Sequence, residues 1–158
     1  MRREFKPILY KEMVKNNRIY IICPDLGFGF WDEIRKDFSD RFIQCKATEN
    51  LALGIGVGMA LEGFIPIVYS ITPFLLSTPN SFLRNYLNNE NIAVKLLGAG
   101  RDDDYSKTDA FTHYCGDDKD LLNAFPNIVS YWPELYNLED NTHRWLYNNS
   151  PSYINIKR

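Results

Sequence analysis

Thr48-Glu49-Asn50-Leu51-Ala52-Leu53-Gly54-Ile55-Gly56-Val57-Gly58-Met59-Ala60-Leu61-Glu62-Gly63 is the stretch on which the reading of this chain turns. Apolar and small residues at helical spacing predict a helix over 48–62, stopped by Gly63. Thr48 is placed to cap it, its hydroxyl accepting a free backbone N–H of the first turn. Glu49, Leu53, Gly56 and Ala60 fall on one face. Glycines inside a helix cost about 1 kcal/mol each relative to alanine. A helix that accepts three is expected to approach a neighbour or a ligand closely. Taken alone, the glycines read as core packing. No frame matches Gly-x-Gly-x-x-Gly/Ala, and they lie inside a helix rather than before one, which excludes a dinucleotide fingerprint. Glu49 taken alone reads as an exposed first-turn acid that complements the helix dipole.

Outward from this helix, short apolar runs alternate with helical patterns. Strands are predicted at 18–23, 42–45, 65–69, 92–97, 127–132 and 153–156, and helices at 30–38, 73–88, 117–124 and 133–147. The alternation predicts an α/β fold: a mainly parallel sheet with helices on both faces and right-handed crossovers. The 158 residues suit a single domain, 1–158. Met1-Arg2-Arg3-Glu4-Phe5-Lys6 is followed by a mixed polar segment and carries no apolar signal-peptide core. The long polar stretch 98–115 carries Arg101, Asp102, Asp103, Asp104, Lys107 and Asp109, and its length predicts a functional or mobile loop.

The composition excludes several classes. Apolar residues make up 45%, charged residues 24%, and the net charge is −2 without a basic stripe. Nucleic acid and anionic membranes are therefore not expected as partners. No run of 18 apolar residues predicts a transmembrane helix. Cys23, Cys45 and Cys115 are odd in number and widely spaced, so neither a zinc ribbon nor a disulfide framework is expected, and a reducing cytoplasm is the expected setting. The aromatic content of 15% exceeds what a core of this size needs and leaves residues for an interface.

A resemblance covers essentially the whole chain. Phe38-Ser39-Asp40-Arg41-Phe42, then Ala47-Thr48-Glu49-Asn50, then Gly54 to Gly63 resemble the middle, pyrimidine-binding domain of the transketolase family of thiamine-diphosphate enzymes. That family includes transketolases, deoxyxylulose-phosphate synthases and the beta subunits of 2-oxo-acid dehydrogenases. The match continues through Tyr69-Ser70-Ile71-Thr72-Pro73-Phe74-Leu75, Thr112-His113, Tyr131-Trp132-Pro133 and Ser150-Pro151-Ser152-Tyr153. No single motif is specific; the ordered set carries the likeness.

The resemblance implies roles. Glu49 matches the glutamate that hydrogen-bonds a ring nitrogen of the aminopyrimidine and so favours its imino form, which activates the cofactor. A protonated carboxyl needs burial, which Ala47, Leu51, Ala52 and Leu53 are expected to supply against the helix N-terminus, which favours the carboxylate. Asp25 and Leu26 match an Asp-Leu near the cofactor, and Phe74 an aromatic beside the pyrimidine. His113 matches a substrate-facing histidine and Asp109 an acid for a sugar hydroxyl. Arg158 matches an arginine that holds substrate phosphate. Ser77 stands where relatives often carry an aromatic or arginine against the pyrimidine, so stacking differs there. A further phosphate-binding histidine, expected near Leu97-Gly98, is missing, and the usual Gly-x-x-His before Thr112-His113 is replaced by Asp109-Ala110-Phe111.

The family holds magnesium and the diphosphate through Gly-Asp-Gly with a downstream Asn. The nearest stretch, Cys115-Gly116-Asp117-Asp118, lacks the second glycine and reads as a helix start. The expectation is a pyrimidine-binding subunit of a split, transketolase-like transferase of carbohydrate metabolism. A separate diphosphate-binding subunit would hold the magnesium, in an α2β2 heterotetramer that moves a two-carbon ketol unit between sugars or sugar derivatives. A split 2-oxo-acid decarboxylase or carboligase is the alternative, and a catalytically inactive interaction module is the third reading.

Overall fold

Neighbouring residues in the strands are buried on opposite faces, and this makes the sheet two-sided. The computed structural model describes residues 1–105 and 109–158; Lys107 of the long polar loop lies outside them. In chain order the elements are α1 (Arg2–Lys15), β1 (Ile19–Cys23), α2 (Asp32–Asp37), β2 (Phe42–Gln44), α3 (Glu49–Leu61), β3 (Ile65–Ile71), α4 (Thr72–Ser77), α5 (Asn80–Phe82), β4 (Lys95–Ala99), α6 (Asp118–Asn123), β5 (Val129–Tyr131), α7 (Leu138–Tyr147) and β6 (Ser152–Ile156). The sheet has six strands in the order β2-β1-β3-β4-β6-β5, and every pairing is parallel. Ile21, Ile67, Leu97 and Ile154 point into one core with Phe5, Leu9, Trp31, Ile34 and Trp145 from α1, the α2 region and α7. Their neighbours Ile22, Val68, Leu96 and Tyr153 point into the other, against Leu53, Val57, Leu75, Leu83 and Leu122. Burial on both faces is why these strands read as continuous apolar runs.

The α/β expectation is met, with four local differences. The segment after Met1 is a helix, α1, which buries Phe5, Leu9 and Met13 four residues apart in spite of an internal Pro7. The fourth strand starts at Lys95 rather than 92, although Ile92 and Val94 are buried ahead of it. The helical stretch over 73–88 is broken at Thr78-Pro79, where proline removes a backbone donor, and resumes as α5 and a π-helical turn over Leu83–Asn89. Thr48 does not cap α3: its hydroxyl donates to the Cys45 carbonyl instead.

Strand order reverses direction at β1. The chain moves from β1 outward to β2, then crosses back over to β3 on the other side. The helix after β1 covers one face and α3 covers the other, so the connections part above the β1–β3 boundary. Ligands of open parallel sheets sit in the crevice at the carboxyl ends of strands where the order switches. Gly56 seats α3 there: a Cβ would lie 3.0 Å from Val68 Cγ2 and 3.3 Å from Val94 Cγ1.

Candidate active site

The switch-point crevice holds a cleft of about 270 Å³ lined by Asp25, Leu26, Ala47, Glu49, Ser70, Ile71, Phe74 and His113. Four carboxyl-end connections supply them. The loop after β1 brings Asp25 and Leu26, and the start of α3 brings Glu49. The end of β3 and α4 bring Ser70, Ile71 and Phe74, and a 3₁₀ turn over Phe111–His113 brings His113.

Glu49 is half-buried at the first position of α3, and the buried Ser70 hydroxyl donates to its Oε1 over 3.3 Å. Of the apolar neighbours expected to bury it, Ala52 and Leu53 lie under the helix in the core, but Ala47 and Leu51 are exposed, Leu51 by 53%. Ala47 still lines the cleft, and its other apolar walls come from Leu26, Ile71 and Phe74. The Phe74 and His113 rings meet edge to face, with centroids 5.1 Å apart. His113 Nδ1 is 3.1 Å from the Thr112 hydroxyl.

Two buried thiols pin the loops of the cleft. Cys23 Sγ donates to the Leu26 carbonyl and Cys115 Sγ to the His113 carbonyl, over 3.3 and 3.2 Å. Burial pushes both thiols up to about 12, so they stay protonated and act as donors rather than nucleophiles. Behind the cleft, Thr72 at the start of α4 donates to the Gly100 carbonyl over 2.8 Å. The buried Asp118 accepts through Oδ2 from Trp132 Nε1, the Tyr153 hydroxyl and Asn155 Nδ2 at 3.0, 3.1 and 2.8 Å. This network joins α4, α6 and β6, and so ties the Phe74 segment to the sheet.

The remaining expected residues lie beside the cleft. Ser77 faces a neighbouring pocket on the other side of Phe74. Asp109 is exposed, its backbone N–H donating to the Tyr105 carbonyl over 2.9 Å. Arg158 places its guanidinium 4.6 Å from the centre of the Tyr105 ring, and Tyr105 in turn lies 6.3 Å from the His113 ring. Arg2 lies on the same tyrosine, with its guanidinium 5.7 Å from the ring centre and hydrogen-bonded to the hydroxyl. Sequence patterning does not single out Arg2 or Ser70. A recognised first helix would draw notice to Arg2; Ser70 sits inside a matched motif, but strand patterning gives no sign that its hydroxyl faces Glu49.

Two clusters are therefore present: the carboxylates of Glu49 and Asp25 with apolar walls and a histidine, and a pair of arginines one aromatic ring beyond. Among the described residues no group of three or more His, Cys, Asp or Glu is arranged to hold a metal ion. No helix of the described residues is long and apolar enough to cross a membrane.

Comparison with known proteins agrees on one likeness. No family model matches the chain. The chain is 30% identical over 102 residues to one of the subunits of the apulose-4-phosphate transketolase of Actinobacillus succinogenes, a match covering 65% of this chain and 32% of that protein. It is 23% identical over 116 residues to an uncharacterized 33.6 kDa protein in the fasciation locus of Rhodococcoides fascians, covering 73% of this chain and 37% of the other. The chain thus spans about a third of the length of these curated relatives. A split-gene transketolase solved as an inactive beta4 tetramer superposes with a TM-score of 0.85 at 19% identity, over 99% of this chain and 51% of that one. Transketolase from Campylobacter jejuni superposes with a TM-score of 0.82 at 20% identity, over 99% and 25%.

Proposed function

We propose that this chain, transketolase-like in sequence and in fold, binds the aminopyrimidine end of thiamine diphosphate, with Glu49 as the acid that activates it. The observation that carries the reading is the convergence of Glu49, Phe74 and His113 in one cleft at the switch point. The half-buried Glu49 carboxylate, set among Leu26, Ile71 and Phe74 with the exposed Asp25 also lining the cleft, fits a flat ring with a polar edge. The fit extends only to that end of the cofactor. The described residues offer no metal cluster, and the sequence has no Gly-Asp-Gly. Residues outside this sequence would bind the diphosphate and its magnesium, and the subunit naming of the Actinobacillus relative and the split-gene transketolase support placing them on a partner subunit.

When bound, the cofactor supplies a nucleophilic carbon able to attack a carbonyl and to hold the negative charge that follows. The residues of this chain do the rest. Ser70 holds one oxygen of Glu49, and the other would hydrogen-bond a ring nitrogen of the bound cofactor and hold the proton there. Leu26, Ile71 and Phe74 keep water from that contact. His113, oriented by Thr112 and by the edge of Phe74, moves protons at a substrate hydroxyl, and Asp109 serves a second hydroxyl. Arg158, joined by Arg2 across Tyr105, receives an anionic group about one ring beyond His113. That spacing favours a phosphorylated sugar, and so transfer of a two-carbon ketol unit, over decarboxylation of a short 2-oxo acid.

The test is reconstitution with a chain that carries Gly-Asp-Gly, with ketose phosphates compared with 2-oxo acids as donors. Ketose phosphates are expected to turn over. Glu49→Ala is expected to lower activity by about 10²-fold or more while the complex still assembles; full activity would show that Glu49 does not have this role. The chain by itself, given cofactor and magnesium, is expected to show no turnover, and turnover by the isolated chain would remove the need for a partner.

A further inference from the structure

At the amino ends of β1, β3 and β4, the opposite end of the sheet from the Glu49 cleft, lies a pocket of about 260 Å³. Its size suits a compact ligand. Lys95, the first residue of β4, and Arg18, one residue before β1, both line it. Phe64 and Tyr147 supply ring surface, and Asn148 and Asn149 supply amides. No residue is shared between this pocket and the cleft. The described ends of the long polar loop, Tyr105 and Asp109, belong to the cleft end, with Tyr105 beside His113 and Arg158.

Charge decides what fits. Lys95 is 2% exposed, and its ammonium donates to the Asn148 carbonyl, the Asn148 side-chain oxygen and the Ser150 carbonyl over 2.6, 2.9 and 2.9 Å. All three acceptors are neutral, and among the described residues no carboxylate is paired with it. Buried charges are ordinarily paired with an opposite charge. Arg18 is exposed, and its guanidinium has no ion pair among the described residues. No carboxylate lines the pocket. Glu12 lies beyond Tyr147, taking its hydroxyl proton over 2.7 Å, and is already paired with Lys15 at 2.8 Å, with His143 Nε2 3.6 Å away. Burial lowers Lys95 to about 8, so at pH 7 the pocket holds two positive charges. A phosphate monoester carries about −1.5 to −2 at that pH and matches them. Arg18 and the exposed Asn149 are placed to contact its oxygens, while Lys95, its protons committed, contributes its charge. Phe64 and Tyr147, each 37% exposed, offer ring surface to the organic part.

We propose that this pocket is a second binding site, remote from the cleft, for a phosphate monoester with a small apolar or aromatic body, its phosphate contacted by Arg18 and Asn149 beside the buried charge of Lys95. The site is independent of the function proposed above. A ligand there also bears on the turn between α7 and β6, because Lys95 holds that turn through Asn148 and Ser150.

The test uses the full chain without cofactor or partner, so its outcome is independent of catalysis. Backbone amide shifts are followed while phenyl phosphate, inorganic phosphate and phenol are titrated separately at pH 7. Saturable shifts at Arg18, Phe64, Ala93 and Asn149 are expected with phenyl phosphate, weaker ones with inorganic phosphate and none with phenol. Arg18→Gln and Asn149→Asp, both at exposed positions, are each expected to weaken binding about tenfold. Arg158→Gln, at the cleft end, is expected to leave the shifts in this pocket unchanged. Lys95 is tested by pH, since substitution would release the turn it holds. Phosphate stays dianionic and Tyr147, raised by burial, stays protonated between pH 7 and 9.5, whereas Lys95 loses its proton there, so affinity is expected to fall about tenfold over that range. No saturable shift in the pocket with phenyl phosphate, binding of phenol or inorganic phosphate as tight as that of phenyl phosphate, full affinity in both Arg18→Gln and Asn149→Asp, or an affinity that does not fall with pH would each overturn the proposal.

Discussion

Ser70 and Asp118 are the two residues whose local chemistry has consequences beyond their own positions. Ser70 is a buried hydroxyl with a defined acceptor, Glu49 Oε1. Ser70→Ala leaves the fold intact and lets the carboxylate turn, so a loss of about tenfold in kcat/KM of the reconstituted enzyme is expected, in line with a hydrogen bond to a charged group. Rescue by Ser70→Thr would separate orientation from bulk. Asp118 is buried and held by three neutral donors, with no cation paired to it among the described residues. Asp118→Ala strands the Trp132, Tyr153 and Asn155 donors together, and a loss of about 3 kcal/mol in denaturant unfolding is expected. Asp118→Asn, which can still accept, is expected to lose less. An unchanged unfolding midpoint in Asp118→Ala would show that the network does not stabilise the fold.

At the level of elements, α3 shows two kinds of glycine. Gly56 lies against Val68 and Val94, and a methyl group would sit 3.0 Å from one valine. Gly56→Ala is expected to destabilise by about 1 to 3 kcal/mol through overpacking, in spite of the better helix propensity of alanine. Gly58 has nothing within 4 Å of the same position, so Gly58→Ala is expected to stabilise by about 0.5 to 1 kcal/mol. Equilibrium unfolding of the two variants checks both signs. Spacing alone could not separate these glycines, because helical periodicity identifies the buried side without identifying what packs on it. The helix α1 is hard to read in the sequence for a related reason. Its apolar residues Phe5, Leu9 and Met13 form a single stripe in a polar, proline-containing segment, too narrow to stand out until the sheet beneath it is known.

For the whole molecule, buried ionisable groups set the response to alkaline pH. An unfolded thiol titrates near 9, whereas burial pushes Cys23 and Cys115 up to about 12. Between those values the folded chain holds more protons than the unfolded one, so stability present below pH 9 is lost as pH rises. Burial raises Tyr69 and Tyr153 as well, adding to the loss above pH 10. Lys95 runs the other way. Its ammonium donates to the Asn148 and Ser150 carbonyls, but burial lowers it to about 8, so its contribution grows from pH 8 to 10.5. The acids outnumber it, and the thermal midpoint is expected to fall above pH 9, more steeply in Lys95→Gln than in the parent; circular dichroism melts across pH 7 to 11 check this, and a rising midpoint would exclude it. The sequence by itself determined the alternation of strands and helices, the two-faced core and the position of Glu49 at a helix start, because each depends on periodicity within a few residues. Only the tertiary structure decided that Ser70 holds Glu49, that Ser77 faces a separate pocket, and that Leu51 is exposed. It alone brought Arg2 and Tyr105 together across 103 residues of chain. Local patterning records which side of an element is apolar; strand order and crossovers decide which distant segments that side meets.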